Sequence, residues 1–261
     1  MPAFPLRPAL LALLAAAFAG PAAAEGVKPY VRLSAGMDQS GDATFEDPDC
    51  TRQKPYALFG CGLGVDGRPY GAYGDFGTSA LFEAAVGLAL TDYLRIEAAV
   101  DYRPGLAFKG NANFAKSGFD QPVSGEVTQA GAMAFAFLEP LTALGVASPL
   151  QPFVGFGAGI SRNEIGQMTY DFPELDQPRY SVTPDGTNTD FAWAVTGGVT
   201  YKASDRLSID FAYRYSDLGK IETSAGTLFN QFSNSTLDIA ILPTRTELTT
   251  QSLIISARIG F

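Results

Sequence analysis

No histidine occurs anywhere in the 261 residues. A Ser/His/Asp triad and His-dependent metal centres are therefore out of reach, and only Ser-Lys or carboxylate-only chemistry would remain for a catalyst. The chain is read as a non-enzyme with no catalytic residue, no cofactor and no metal site. Cysteine is nearly absent too: only Cys50 and Cys61 occur, eleven apart in a Gly- and Asp-rich stretch. Positive charge is scarce, with 18 Lys and Arg against 27 Asp and Glu and a net charge of −9, which argues against a nucleic-acid partner. Long apolar runs are missing as well. Beyond residue 24 no stretch reaches the roughly 18 apolar residues that a membrane-spanning helix needs.

What is present begins with a leader. Arg7 supplies a weak basic start, Ala9 to Ala19 a short apolar run, and Ala22, Ala23 and Ala24 before Glu25 a small-residue cleavage site. Residues 1–24 are thus expected to be a signal peptide and 25–261 the mature domain. In an exported chain the two cysteines favour a Cys50–Cys61 disulfide closing a loop over two free thiols.

From Lys28 onward the dominant signal is alternation with period two, the mark of strands with one apolar face. Eight such segments lie near 30–38, 79–90, 94–103, 127–138, 153–162, 191–202, 207–215 and 252–261. The last is clear: Leu253, Ile255, Ala257, Ile259 and Phe261 fall on one face, Ser252, Ser256, Arg258 and Gly260 on the other, and only Ile254 breaks the pattern. Connections alternate in length. Those after the second and sixth segments are tight, the one after the fourth is moderate, and long polar loops are expected near 39–78, 104–126, 163–189 and 219–247. Short turns on one side and long loops on the other fit an all-β fold, an eight-stranded antiparallel up-and-down transmembrane β-barrel of a bacterial outer membrane, with termini in the periplasm.

That orientation sorts the aromatics into two girdles. Tyr102, Phe191, Trp193, Tyr213 and Tyr215 are expected at the outer interface, and Phe135, Phe137, Tyr201 and Phe261 at the inner one. The opposite strand faces carry Arg32, Arg95, Arg103, Arg214 and Arg258 with Glu83, Glu97, Asp101 and Asp210, a nearly balanced ion-pair network for a lumen that side chains can fill. Pairing the second and third segments sets Glu83 near Asp101, with Arg103 diagonal, and Asp210 and Arg258 fall at similar depth. The acidic first loop (Asp38, Asp42, Glu46, Asp47, Asp49) offers oxygen ligands to a divalent cation, but its spacing is not an EF-hand and a solvated loop is the simpler reading. Gly155 to Gly159 lie inside a strand pattern, so they are no dinucleotide fingerprint.

The run Leu90 to Glu97, the segment Pro152 to Gly159 and the terminal Phe261 resemble the eight-stranded outer-membrane barrels: OmpA-type transmembrane domains, OmpX-like proteins, opacity adhesins and surface antigens. The resemblance covers essentially the whole mature chain. It implies that the terminal strand ending in Phe261 is the signal read by the barrel-assembly machinery, and that outer-membrane lipid surrounds a monomer. It implies a structural or surface-antigen role in envelope integrity or adhesion through an unidentified extracellular partner. A narrow pore for small solutes is the alternative.

Overall fold

In a computed structural model of the protein, residues 27–47, 62–146, 148–176, 179–230 and 235–261 are described. The expected leader, Asp49, Cys50 and Cys61 lie outside them. The chain runs β1 (Lys28–Ser40), β2 (Asp42–Phe45), β3 (Ala72–Asp75), β4 (Thr78–Ala89), β5 (Leu94–Ala112) and β6 (Pro122–Leu138), then one helical turn, α1 (Pro140–Ala143). It continues through β7 (Leu150–Ile165), β8 (Thr169–Phe172), β9 (Arg179–Val182) and β10 (Gly186–Lys202). It finishes with β11 (Leu207–Glu222), β12 (Gly226–Asn230), β13 (Ser235–Ile241) and β14 (Arg245–Gly260).

Eight long strands close a ring in the order β1-β4-β5-β6-β7-β10-β11-β14, every neighbour antiparallel. The last stave returns to the first, from Tyr30 opposite Gly260 to Ser40 opposite Thr250, so the ring has no free edge. Outward positions are apolar and open: Leu33, Phe82, Val154, Phe156, Phe211 and Ile255 are all exposed. Inward positions are small, polar or charged, among them Ser34, Ser252 and Ser256, all buried. An apolar exterior around a polar interior inverts the usual water-soluble arrangement and suits a hydrocarbon surround.

Short connections gather at the near end, where β1 begins and β14 finishes. Between β4 and β5, Thr91 Oγ1 accepts the amides of Tyr93 and Leu94 at 3.2 and 3.0 Å. Between β10 and β11, Ser204 Oγ accepts the Leu207 amide at 3.0 Å. These hydroxyl-capped turns are the local reason the staves reverse so tightly.

The far end differs from the sequence reading. The segments expected to be long polar loops contain paired strands: β2 with β3, β3 with the end of β5, β8 with the start of β6 and with β9, and β12 with β9 and β13. They enclose an apolar core. Phe45, Phe76 and Phe108 meet with ring centroids 5.0 to 6.3 Å apart, and Leu106, Val127, Met168, Tyr170, Ile221 and Leu248 are buried around them. We call this assembly the cap.

Two bulges make the cap possible. Along β5 the inward residues are Arg95, Glu97, Ala99, Asp101 and Arg103, after which the inward set becomes Leu106 and Phe108. Strict alternation would turn those two outward. The register slips between Arg103 and Leu106, where Gly105 takes φ +66°, and one extra residue restores the facing. In β11 the same slip between Asp217 and Lys220 uses Gly219 at φ +72° and turns Ile221 inward.

Candidate functional site

The lumen is the site, and its side chains follow from inward positions of the eight staves. Midway up, Arg32 on β1 bridges two carboxylates. Its Nη1 stands 2.5 Å from Glu83 Oε1 and its Nη2 2.5 Å from Glu97 Oε2, with Nε 2.9 Å from the same Glu97 oxygen. Glu83 also receives Arg214 Nη1 at 2.6 Å, across the barrel from β11. Glu97 accepts the Tyr30 hydroxyl at 2.8 Å. Charge-assisted, multiply bonded pairs of this kind are the arrangement that permits ions in a dry interior.

Nearer the cap, Arg103 pairs with both Asp38 and Asp101, and its Nη1 donates to Gln129 at 2.8 Å. The network passes from Gln129 to Ser161 (3.0 Å), from Ser161 to Asn163 (3.1 Å), and from Asn163 Nδ2 to the carbonyls of Leu218 and Lys220 at 2.9 and 2.8 Å. Asn163 thus ties the lumen network to the β11 bulge. Near the other end, Thr200 donates to Asp210 at 2.6 Å, and Arg258 Nη2 lies 3.4 Å from Asp210 and 3.9 Å from Glu139.

The nine charged residues expected in the lumen are brought together there, but not all in the anticipated pairs. Glu83 does face Asp101 in register. Arg103, however, serves Asp101 and Asp38, while Glu83 is held by Arg32 and Arg214. Asp38 is corrected: it belongs to the buried network rather than to a solvated acidic loop, since β1 runs on to Ser40. With it, and with Glu139 beside Arg258, the five arginines meet six carboxylates. The residues missed by sequence reasoning are Glu139, which pairs with Arg258, and the neutral Tyr30, Gln129, Ser161, Asn163 and Thr200, whose only signal was an inward parity.

Phe135 and Phe137 are also corrected. Placed by the sequence in the inner girdle, both rings are buried in the lumen, stacked on each other at 5.6 Å. Register is the reason. Arg95 lies opposite Phe137 and Glu97 opposite Phe135, and directly opposed residues share a face. Arg214 sits 4.7 Å from the Phe135 centroid, and Arg95 sits 4.3 and 4.9 Å from those of Phe137 and Phe153. Space for the rings comes from β7, because a Cβ at Gly155 or Gly157 would stand 2.4 or 2.3 Å from them. Replacing Gly157 with leucine should therefore cost about 1–3 kcal/mol of barrel stability, and Phe135→Ala in the same chain should recover part of it. Urea unfolding of the two single variants and the double variant checks this; strictly additive losses would remove the coupling.

The remaining girdle residues face outward. Tyr102, Phe191, Tyr201, Tyr213, Tyr215 and Phe261 are exposed, and Trp193 packs on Tyr215 with centroids 5.6 Å apart. On β14, Leu253, Ile255 and Ile259 are exposed, Ala257 is half-buried, and Ile254 turns into the barrel at 4% exposure. In the loop before β3, Asp66 accepts hydrogen bonds from Asn113 Nδ2 at 2.8 Å and from the Arg68 amide at 3.0 Å, and these hold its carboxyl down at about 2.

A void of about 10 Å³ lies between Arg32, Arg95, Phe137 and Arg214. A space of about 180 Å³ opens at the near end beside Arg95 and Arg258.

The model of the outer membrane protein beta-barrel domain family matches residues 9–240. No curated protein matches the chain. Among solved structures, the chain is similar to neisserial surface protein A, at 17% identity and a TM-score of 0.41 over 91% of this chain and 100% of that one. It is similar to the outer membrane protease OmpT of Escherichia coli at 9% identity, TM-score 0.40, over 90% and 97%. A third is outer membrane protein AlkL at 17%, TM-score 0.37, over 93% and 94%. The family match carries the assignment.

Proposed function

Since the chain belongs to the outer membrane protein beta-barrel family, we propose that it is a plugged, non-enzymatic structural barrel that displays its folded cap at the cell surface. The side chains packed across the lumen support this most. Ion pairs span it from β1 and β4 to β11, three phenylalanine rings pack beneath them, and the cap core closes the far end. A conducting path would need water-sized openings in series, whereas the mid-lumen void between Arg32, Arg95, Phe137 and Arg214 has room for about one water.

In this reading the near end faces the periplasm and the cap faces outward. The exposed aromatics Tyr102, Phe191, Trp193, Tyr213 and Tyr215 form the outer girdle, and Tyr201 with Phe261 marks the inner one. Residues 1–24 act as the export leader, and Cys50 with Cys61 forms a disulfide in the oxidising space outside the cell. The strand from Leu253 to Phe261 is the assembly signal. The cap, packed around Phe45, Phe76 and Phe108, offers a surface for an external partner, and the barrel contributes to envelope integrity as a monomer.

Planar-bilayer recording checks the plug. Reconstituted barrel is expected to give no stable unitary current, and reproducible unitary conductance would favour the narrow-pore alternative.

A further inference from the structure

We propose that a hollow in the outer wall of the barrel, close to its near end, seats an acyl chain of one phospholipid. The hollow measures about 720 Å³ and is bordered chiefly by outward residues of β4 to β7, a volume within the roughly 300–1,000 Å³ of ligand-sized clefts. Register explains it. Ala98, Ala134 and Ala158 stand directly opposite one another on β5, β6 and β7, between Val86 on β4 and Trp193 on β10. In the next row toward the near end, Ala136 stands between Ile96 and Phe156, both exposed. Directly opposed residues share a face, so four methyl groups floor a depression rimmed by larger apolar side chains.

The occupant follows from where the hollow lies. It is continuous with the apolar exterior that the family fold turns toward lipid. Glu97 also borders it, but its carboxylate is fully buried and engaged by Arg32 and Tyr30, so the surface on offer is hydrocarbon. The strands that flank Ala136 run about 10 Å apart, too narrow for a helix of about 10–12 Å diameter and wide enough for an extended chain. In a two-fold pair of barrels centred here the same patch would meet itself, and two hollows do not fill one another. A flexible chain that enters the hollow gains the dispersion contacts that its lining otherwise forfeits. With the near end facing the periplasm, as proposed above, the chain comes from a phospholipid of the periplasmic leaflet; the leaflet rests on that reading, the hollow does not.

Trp193, the single tryptophan of the chain, stands beside the floor opposite Ala158 and reports occupancy. Full-length refolded barrel in detergent, titrated with a phosphatidylcholine brominated in mid-chain, provides the test. Quenching of Trp193 is expected to saturate at one lipid per barrel. Ala134→Leu/Ala136→Leu fills the floor two strands away from the indole and should weaken this saturable phase about tenfold, the scale of about ten lost carbon–carbon contacts. Ala257→Leu, on β14 in another part of the wall, should leave it unchanged. Quenching that rises in proportion to lipid without saturating overturns the proposal, as does equal affinity in the filled and unaltered barrels. A dimer of the unaltered barrel that the filled variant loses would assign the hollow to a second copy and overturn it too. If the double variant does not refold, Ala98→Leu decides alone. Cleavage of the cap on whole cells tests the orientation, and with it the leaflet, separately.

Discussion

Replacing Arg103 with alanine is expected to cost about 3–5 kcal/mol of barrel stability, the largest effect of any single lumen substitution. Arg103 is 1% exposed, and it supplies the only ion pair of both Asp38 and Asp101 among the described residues. Without it two buried carboxylates face one another's side of the lumen with no cation, and Gln129 loses a partner 2.8 Å away. Arg32→Ala should cost less, because Glu83 keeps Arg214 and Glu97 keeps Tyr30. Lys28→Ala, from an exposed pair with Asp92, should change almost nothing. Urea midpoints in one detergent rank the three. Adding Asp101→Asn to Arg103→Ala should restore part of the loss, since a neutral amide needs no cation. Equal midpoints for Arg103→Ala and the unaltered barrel would dismiss the network as a source of stability.

Phe108→Ala should have a comparable but local effect. The ring is fully buried between Phe45 and Phe76, and its removal leaves a cavity worth about 3–5 kcal/mol to the cap core. The cap and the staves below it share strands and one buried apolar cluster, but the lower barrel is also held by its ion pairs and closed ladder, so the cap should loosen while the lower barrel stays closed. Limited proteolysis of the variant, on whole cells and on refolded protein, should cleave cap connections such as the one containing Asp66 and Arg68 faster, with the heat-resistant folded band retained on unboiled gels. An unchanged cleavage rate would mean that the phenylalanine cluster does not hold the cap. The same experiment on whole cells also bears on which way the cap faces.

The sequence was most misleading where phase changed. Arg103 and the inward residues before it occupy odd positions, whereas Leu106 and Phe108 occupy even ones. Read without a bulge, that break at Pro104-Gly105 ends a strand and starts a loop; with Gly105 in the left-handed region it continues one. The same argument hides the end of β11 behind Gly219. Once both staves continue, there is sheet for the short strands to join, and the polar connections gain a core that no single segment displays.

What the sequence by itself determined is what alternation and turn chemistry determine: eight staves, their antiparallel order, the tight turns at Thr91 and Ser204, and the pool of charges available to an interior. These are properties of neighbouring residues along one strand. What only the tertiary structure decided is which face of β6 looks inward, which arginine holds which carboxylate, and that Asp38 joins the network. Each depends on the residue directly opposite on another stave or across the lumen. Phe135 and Phe137 show why: large residues alternating with alanines fit either face, and the choice fell to Glu97 and Arg95 beside them and to the glycines of β7 that leave the rings room.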